Sequence, residues 1–171
     1  MRIDRSDLLE QLHSFVVKGN GVVVGRPGVG KSYLFAELHT RLNAAGIPHV
    51  LLPVEALGDG GEDELRSLLN ASGSVTDHLT TVLAAKPDVK GVILLDAFDA
   101  VRSEDSRVRL VNLIRRLIAA SQQRWSVVVS VREYDARKSQ ALLKLFGPRT
   151  NEPQAATQDP RIGCRHLVVP P

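Results

Sequence analysis

The chain is poor in several residue classes, and each shortage narrows its range of functions. Only one of its 171 residues, Cys164, is a cysteine, which excludes an internal disulfide framework and suits a reducing compartment. Aromatic residues make up 4%, too few for a platform on which single-stranded bases could stack. No apolar run approaches the roughly 18 residues of a membrane span, and the N-terminus lacks a signal-peptide core. We therefore expect a cytoplasmic protein with no membrane partner.

The chain also has no large excess of positive or negative charge. The net charge is +3, and lysines and arginines are scattered among acids rather than gathered into a basic stripe. This pattern argues against nucleic acid as a partner. The five histidines lack the spacing of metal ligands, which argues against a zinc site.

One glycine-rich segment carries specific chemistry. Residues 25–32 read GRPGVGKS and fit the phosphate-binding pattern G-x-x-x-x-G-K-[ST]. The apolar residues 22–24 precede the segment as a predicted buried strand, and a helical pattern over 32–42 follows it. A strand before the loop and a helix after it are the context that this motif requires. The sequence therefore predicts a polyphosphate-binding loop, the P-loop.

Each residue type in this loop has a physical role. Glycine lets the backbone take positive φ and approach a phosphate closely. Successive N–H groups then form an anion nest at the positive end of the helix dipole. Lys31 is expected to reach the β- and γ-phosphates, and the Ser32 hydroxyl to bind Mg²⁺. The predicted nucleotide-binding residues are Gly25, Arg26, Pro27, Gly28, Val29, Gly30, Lys31, Ser32 and Tyr33.

Apolar strands alternate with amphipathic helices along the whole chain. The pattern predicts five strands, at 22–24, 49–52, 92–95, 127–129 and 166–169, and helices that include 5–17, 32–42, 62–69, 103–118 and 136–146. Residues 148–161 are predicted to form an exposed loop. Strands that are apolar throughout and separated by helices imply a parallel sheet covered on both faces. The predicted fold class is α/β, a three-layer P-loop NTPase fold with a mostly parallel five-stranded sheet.

A second motif lies at the end of the third predicted strand. Four apolar residues lead into Asp96, whose carboxylate is expected to hold the Mg²⁺ that Ser32 also contacts. Many ATPases carry a glutamate at the next position, which here is Ala97. Asp99 could orient the attacking water, act as a second carboxylate beside the metal, or only cap a turn.

The fourth predicted strand ends in further polar residues. Arg132 could sense the γ-phosphate, brace Asp99, or form an ordinary surface ion pair. Ser130 could form a hydrogen bond with the attacking water. Because the carboxyl ends of parallel strands meet at one edge of a sheet, the three segments are expected to converge. The predicted catalytic residues are Lys31, Asp96, Asp99 and Arg132.

The combination of GRPGVGKS, VILLDAFDA and VVVSVREYD resembles the STAND class of P-loop ATPases, especially its NACHT-like members. That class belongs to the AAA-type, additional-strand group. The resemblance implies ATP and Mg²⁺ as ligands and slow hydrolysis. It also implies a signalling or defence switch whose ATP and ADP states favour different assemblies, with protein partners or with itself. An acid three residues after the metal aspartate matches Asp99, whereas Ala100 departs from the glutamate that often follows.

The resemblance covers residues 5–171. Members of the class normally continue with a helical lid domain, so an isolated nucleotide-binding core is expected over 1–171, with a helix in residues 1–20 leading into it.

Three alternatives stay open. A nucleotide or small-molecule kinase can begin with the same loop and use Asp99 as its base, although late arginines are too dispersed for a basic lid. A DNA-associated AAA-type ATPase is disfavoured by the missing basic stripe. A scaffold that binds nucleotide without hydrolysing it is motivated by Ala97. The sequence has no guanine-reading N-K-x-D motif, which favours ATP over GTP.

Overall fold

Five strands form one sheet in which every neighbouring pair is parallel. A computed structural model of the chain describes residues 4–58, 61–148 and 158–171. The sheet order is β2-β3-β4-β1-β5. The inserted strand β4 separates β1 from β3, which confirms the predicted α/β fold with its additional strand. The strands are β1 Gly21–Gly25, β2 His49–Pro53, β3 Gly91–Asp96, β4 Trp125–Arg132 and β5 His166–Val168.

Helices cover both faces of the sheet and produce three layers. They are α1 Arg5–Lys18, α2 Lys31–Ala44, α3 Glu62–Leu68, α4 Val75–Ala84, α5 Glu104–Ala120, α6 Glu133–Lys138 and α7 Gln140–Phe146, with short 3-10 turns at Val54–Leu57 and Phe98–Ala100. Because successive strand side chains point to opposite faces, Val23 and Leu94 pack with α1 and α2. Their neighbours Val24 and Leu95 pack on the other face with α3, α4, α5 and α7. Of the described helices, none is both long and apolar enough to cross a membrane.

The structure corrects two details of the predicted elements. The predicted buried strand at 49–52 is only half-buried, because β2 lies at the edge of the sheet and pairs with β3 alone. The single helix predicted over 136–146 is instead two helices, α6 and α7. Ser139 has an extended backbone between them, and its hydroxyl accepts a hydrogen bond from the Leu142 N–H at 3.2 Å. A serine that caps a following turn in this way competes with helix continuation.

The predicted exposed loop at 148–161 is only partly open to comparison, because 149–157 lie outside the described residues. Its end differs from the prediction. Asp159 is 5% exposed and is held by Arg137 and Arg161. These ion pairs fix the chain just before β5.

Candidate nucleotide-binding site

The loop between β1 and α2 has the backbone geometry of a phosphate cradle. Gly28 and Gly30 have φ of +76° and +94°, a left-handed conformation that residues with a Cβ rarely adopt. Gly30 is also the N-cap of α2 and provides no side-chain acceptor for the N–H groups of the first helical turn. Those N–H groups and the helix dipole suit an anion such as a phosphate. The loop therefore fits the polyphosphate that its sequence predicts.

The ammonium group of Lys31 lies over this loop. Its Nζ donates hydrogen bonds to the carbonyl oxygens of Gly25, at 3.0 Å, and Arg26, at 3.1 Å. Burial lowers the pKa of Lys31 below its ordinary value, and the nearby carboxylates of Asp99 and then Asp96 oppose this shift. The guanidinium of Arg132 lowers the pKa further. The predicted catalytic residues from three separate segments are thus close enough to interact electrostatically.

Asp96 is held by a serine from the neighbouring strand. Ser130 is fully buried, and its hydroxyl donates to Asp96 Oδ1 at 2.5 Å. The same hydroxyl accepts from the Ala97 N–H at 2.8 Å. Since the only proton of Ser130 is used on Asp96, the structure places Ser130 as support for that carboxylate rather than as a donor to water.

Backbone strain accompanies this contact. Ala97 has φ of +64° and ψ of 56°, a left-handed conformation that costs a non-glycine residue roughly 1–2 kcal/mol. Such strain tends to occur at functional sites, where the surrounding contacts maintain it. The Ser130 contact is one that holds Ala97 in place.

Asp99 is fixed by Arg132. The Arg132 Nε lies 2.8 Å from Asp99 Oδ2, and the Arg132 backbone N–H donates to Oδ1 at 3.1 Å. The Asp99 side chain is 11% exposed, whereas that of Arg132 is 56% exposed. Of the roles considered for Arg132, the structure shows the bracing of Asp99. Sensing of the γ-phosphate stays a prediction.

The side-chain oxygen atoms at the carboxyl ends of the strands are suitable ligands for Mg²⁺. Ser32 lies exposed in the first turn of α2, and Asp96 is half-buried at the end of β3. Hydroxyl and carboxylate oxygens are ligands that Mg²⁺ accepts, and the ion commonly takes few protein ligands because it keeps waters and substrate phosphates. Ser32 and Asp96 are therefore the residues that would hold it.

Three contacts around the site were missed by the sequence reasoning. The guanidinium of Arg5 lies 4.3 Å from the centre of the Tyr33 ring, and its Nε lies 3.6 Å from Glu37. These contacts hold the start of α1 against the start of α2. The Glu133 carboxylate lies 3.8 Å from Nε of Arg26 in the P-loop. In each contact the two residues lie far apart in the sequence, so no local sequence pattern predicts it.

The fold and this loop define an AAA-type P-loop ATPase domain. The chain belongs to the AAA domain family, whose model matches residues 16–151. No curated protein sequence matches the chain.

Among solved structures, the fold is similar to that of three proteins. Aeropyrum pernix ORC1 in complex with DNA has a TM-score of 0.52 at 17% identity, covering 100% of this chain and 46% of ORC1. A DNA replication initiation factor has a TM-score of 0.55 at 12% identity, covering 95% and 44%. AMPPCP-bound DnaA from Aquifex aeolicus has 0.51 at 11%, covering 96% and 44%. The chain thus spans less than half of each, and the likeness concerns the fold.

Proposed function

We propose that this domain binds ATP with Mg²⁺, hydrolyses it slowly, and works as a nucleotide-dependent switch of the STAND, NACHT-like kind. The observation that carries the proposal is the convergence of three segments at one sheet edge. Lys31 lies over the P-loop, Ser130 orients Asp96, and Arg132 orients Asp99. This arrangement has the parts that phosphoryl transfer to water needs.

Each residue has a defined task in this proposal. The loop amides and Lys31 hold the phosphates, while Ser32 and Asp96 provide oxygen ligands for the metal. Mg²⁺ supplies neutralisation of phosphate charge when bound. Asp99 orients the attacking water, and Arg132 keeps that carboxylate in one position.

Slow turnover follows from the carboxylates. Ala97 provides no side-chain base at the position where many ATPases carry glutamate. Asp99 is the remaining candidate, and both of its carboxylate oxygens already contact Arg132, which leaves it less capacity to hold a water molecule. A nucleotide that is hydrolysed slowly leaves a long-lived ATP state, which suits a switch.

Tyr33 supports binding of the nucleoside part. Its ring is 55% exposed, and Arg5 lies against it. An aromatic ring next to the P-loop gives a purine base a surface for stacking, and the guanidinium strengthens such a contact. This part of the proposal favours no base over another.

Nucleotide-induced stabilisation and phosphate release test the proposal. We expect ATP with Mg²⁺ to raise the melting temperature and to be hydrolysed without an acceptor. Lys31→Ala should abolish the ATP-induced shift, whereas the exposed control Lys90→Ala should keep it. Asp96→Asn should reduce Mg²⁺-dependent turnover at least tenfold, about 1.4 kcal/mol or more in barrier, and Asp88→Asn should not. An unchanged shift in Lys31→Ala, or undiminished turnover in Asp96→Asn, would contradict the assigned roles.

A DNA-associated ATPase is the second candidate. The fold is shared with an ORC1 protein solved in complex with DNA, so the comparisons give no support to the expectation that nucleic acid is not a partner. Phosphate release stimulated by duplex DNA, together with salt-sensitive DNA binding, would favour this candidate over the signalling switch. Transfer of phosphate only to an added acceptor would favour a kinase instead.

A further inference from the structure

Two histidines from different elements meet beside the edge strand β2. His39 lies in α2, and His49 is the first residue of β2. Nε2 of His49 lies 2.7 Å from Nδ1 of His39, and the ring centres are 4.6 Å apart with the ring planes at 69°. His39 is exposed and His49 is half-buried, so an ion in solution can reach the pair.

The pair is separate from the nucleotide-binding site. His49 is paired in the sheet with Val92 near the start of β3, whereas Asp96 ends that strand and is paired with Pro53. The two histidines therefore lie towards the amino ends of the strands, and the P-loop and its acids lie at the carboxyl ends. What the histidines bind does not depend on the function proposed above.

A backbone carbonyl decides which nitrogen of His49 carries a lone pair. Nδ1 of His49 lies 2.7 Å from the carbonyl oxygen of Ile47. Since a carbonyl only accepts, Nδ1 of neutral His49 carries the proton, and Nε2 has a lone pair directed at His39. A histidine that binds a metal commonly donates its other ring N–H to a carbonyl in this way, which fixes the ring and its tautomer. His49 thus already has the tautomer of a metal ligand.

The separation of the two nitrogens also suits a shared ion. Imidazole nitrogens bind Zn²⁺ at about 2.0–2.1 Å, so two neighbouring nitrogen ligands of one ion lie roughly 2.9–3.4 Å apart. The observed distance of 2.7 Å is slightly shorter, and a small rotation of the exposed His39 side chain can widen it. His39 then carries its proton on Nε2 instead of Nδ1. The neutral pair keeps all its protons, and both lone pairs point to the ion.

We propose that His39 and His49 bind a divalent transition-metal ion of the Zn²⁺, Cu²⁺ and Ni²⁺ class. Imidazole suits these ions, whereas Mg²⁺ prefers oxygen ligands. In the part of the chain that the structure describes, no group of three or more histidine, cysteine or acidic side chains could hold a metal. The chain therefore provides two ligands, and water completes the coordination.

Such an ion joins α2 to β2. It stabilises the folded chain, because the unfolded chain does not hold the two rings together. The spacing of histidines in the sequence gave no sign of this pair, since residues 39 and 49 meet only when the helix packs beside the strand.

Calorimetric titration with Zn²⁺ tests the binding, on a chain without a histidine tag and with excess Mg²⁺ to occupy the oxygen ligands of the nucleotide site. We expect saturable uptake of one Zn²⁺ per chain. His39→Gln and His49→Gln should each weaken it at least about tenfold, because loss of even an indirect support of a metal ligand costs about 10–100-fold in affinity. His13→Gln and His78→Gln remove the same side chain from α1 and α4 and should leave the affinity unchanged.

A second probe, Cu²⁺, reports the ligands themselves. Its electron paramagnetic resonance spectrum should show coupling to two imidazole nitrogens in the parent chain and to one in either His39→Gln or His49→Gln. Zn²⁺ should also raise the urea midpoint of the parent chain and not that of these two variants. Circular dichroism checks that each variant is folded.

The possible outcomes separate this inference from the proposed function. Absence of saturable Zn²⁺ uptake by the folded parent chain, or equal uptake by His39→Gln and His49→Gln, would overturn the metal site and leave the ATP site untouched. A Cu²⁺ spectrum without nitrogen coupling would also overturn it. Lys31→Ala should lose ATP binding and keep Zn²⁺ binding, so a chain that takes up Zn²⁺ and no ATP would contradict only the proposed function.

Discussion

Two side chains of β4 orient two carboxylates, one at the end of β3 and one just after it. Ser130 donates to Asp96, and Arg132 pairs with Asp99, so the strand inserted between β1 and β3 organises the acids opposite the P-loop. Sequence spacing alone could list these four residues, because each lies at a strand end. It could not choose among the roles of Arg132, since that choice depends on a distance between side chains.

At Asp99 we predict a separation of binding from catalysis. Asp99→Asn keeps the size of the side chain but removes the charge that would orient water and pair with Arg132. Hydrolysis should fall at least tenfold, whereas the Kd for ATP should change less than about threefold, since the phosphates are held by the loop and Lys31. Single-turnover hydrolysis and equilibrium titration measure the two effects. A larger loss in binding than in hydrolysis would reassign Asp99 to nucleotide binding.

At Lys31 we predict that the charge needed to bind phosphate lowers the stability of the folded chain. Burial lowers the pKa of this lysine, so the native state binds its proton less firmly than the unfolded state does. The charge therefore costs stability at pH values below the folded-state pKa, and the cost disappears as the pH rises past the unfolded value near 10.5.

Lys31→Met should thus unfold at the same or a higher denaturant concentration than the parent at neutral pH. The difference in unfolding midpoint between the variant and the parent should disappear as the pH approaches the pKa of the unfolded lysine, near 10.5. Urea titrations across this pH range measure the difference. A less stable variant at neutral pH would show that the hydrogen bonds from Lys31 to Gly25 and Arg26 outweigh the cost of burial.

At the scale of elements, each predicted strand is present in the structure. A run of β-branched and apolar residues identifies a strand without knowledge of its tertiary contacts. Burial was less predictable. The apolar residues of β2 are half-exposed because the strand order puts β2 at an edge, and the order depends on pairing across the whole chain. The break at Ser139 was missed because helical periodicity continues through it. The Ser139 hydroxyl instead caps the start of α7, a local hydrogen bond that competes with helix continuation.

Between β3 and β4 we predict a steric requirement at Gly91. A Cβ there would lie 2.3 Å from Cε3 of Trp125, and the indole is held by a 3.2 Å hydrogen bond from its Nε1 to the Leu79 carbonyl. Gly91→Ala should lower the free energy of unfolding by about 1–3 kcal/mol, the usual cost of overpacking. Gly19→Ala is the control, since nothing lies within 4 Å of its Cβ position. Equal urea midpoints for the two variants would show that Trp125 moves aside freely.

At the scale of the whole molecule, ion pairs link the P-loop to the segment before β5. Arg26 contacts Glu133, Glu133 pairs with Arg137, and Arg137 pairs with Asp159 at 2.7 Å. The Asp159 N–H also donates to Nε2 of the buried His166 at 2.8 Å. The sequence predicted an exposed loop here because the segment is polar. Composition alone does not show that ion-pair partners from distant parts of the chain bury Asp159.

This linkage predicts a pH-dependent contribution from Asp159. Burial raises the pKa of its carboxyl, but hydrogen bonds from Arg161 and Arg137 outweigh burial and bring the pKa well below its usual range. A depressed carboxyl pKa gives stability that is present above the unfolded value of 3.8 and is lost as the pH falls below it.

Asp159→Asn should therefore cost about 1.5–3 kcal/mol of unfolding free energy at neutral pH, as expected for hydrogen bonds to a charged group. The difference from the parent should shrink as the solution is acidified below the unfolded pKa. Urea unfolding at a series of pH values tests this, with Asp88→Asn as the control. If the difference in unfolding free energy between variant and parent stays constant on acidification, the charge of the Asp159 carboxylate is not what stabilises the segment.

The central claim is that the P-loop and the acids facing it form one site for a nucleoside triphosphate. Calorimetric titration of the folded chain with ATP in the presence of Mg²⁺ tests it most directly. We expect saturable uptake of one ATP per chain, lost in Lys31→Ala and retained in Lys90→Ala. A chain that is folded by circular dichroism and shows no saturable uptake of ATP would contradict the account.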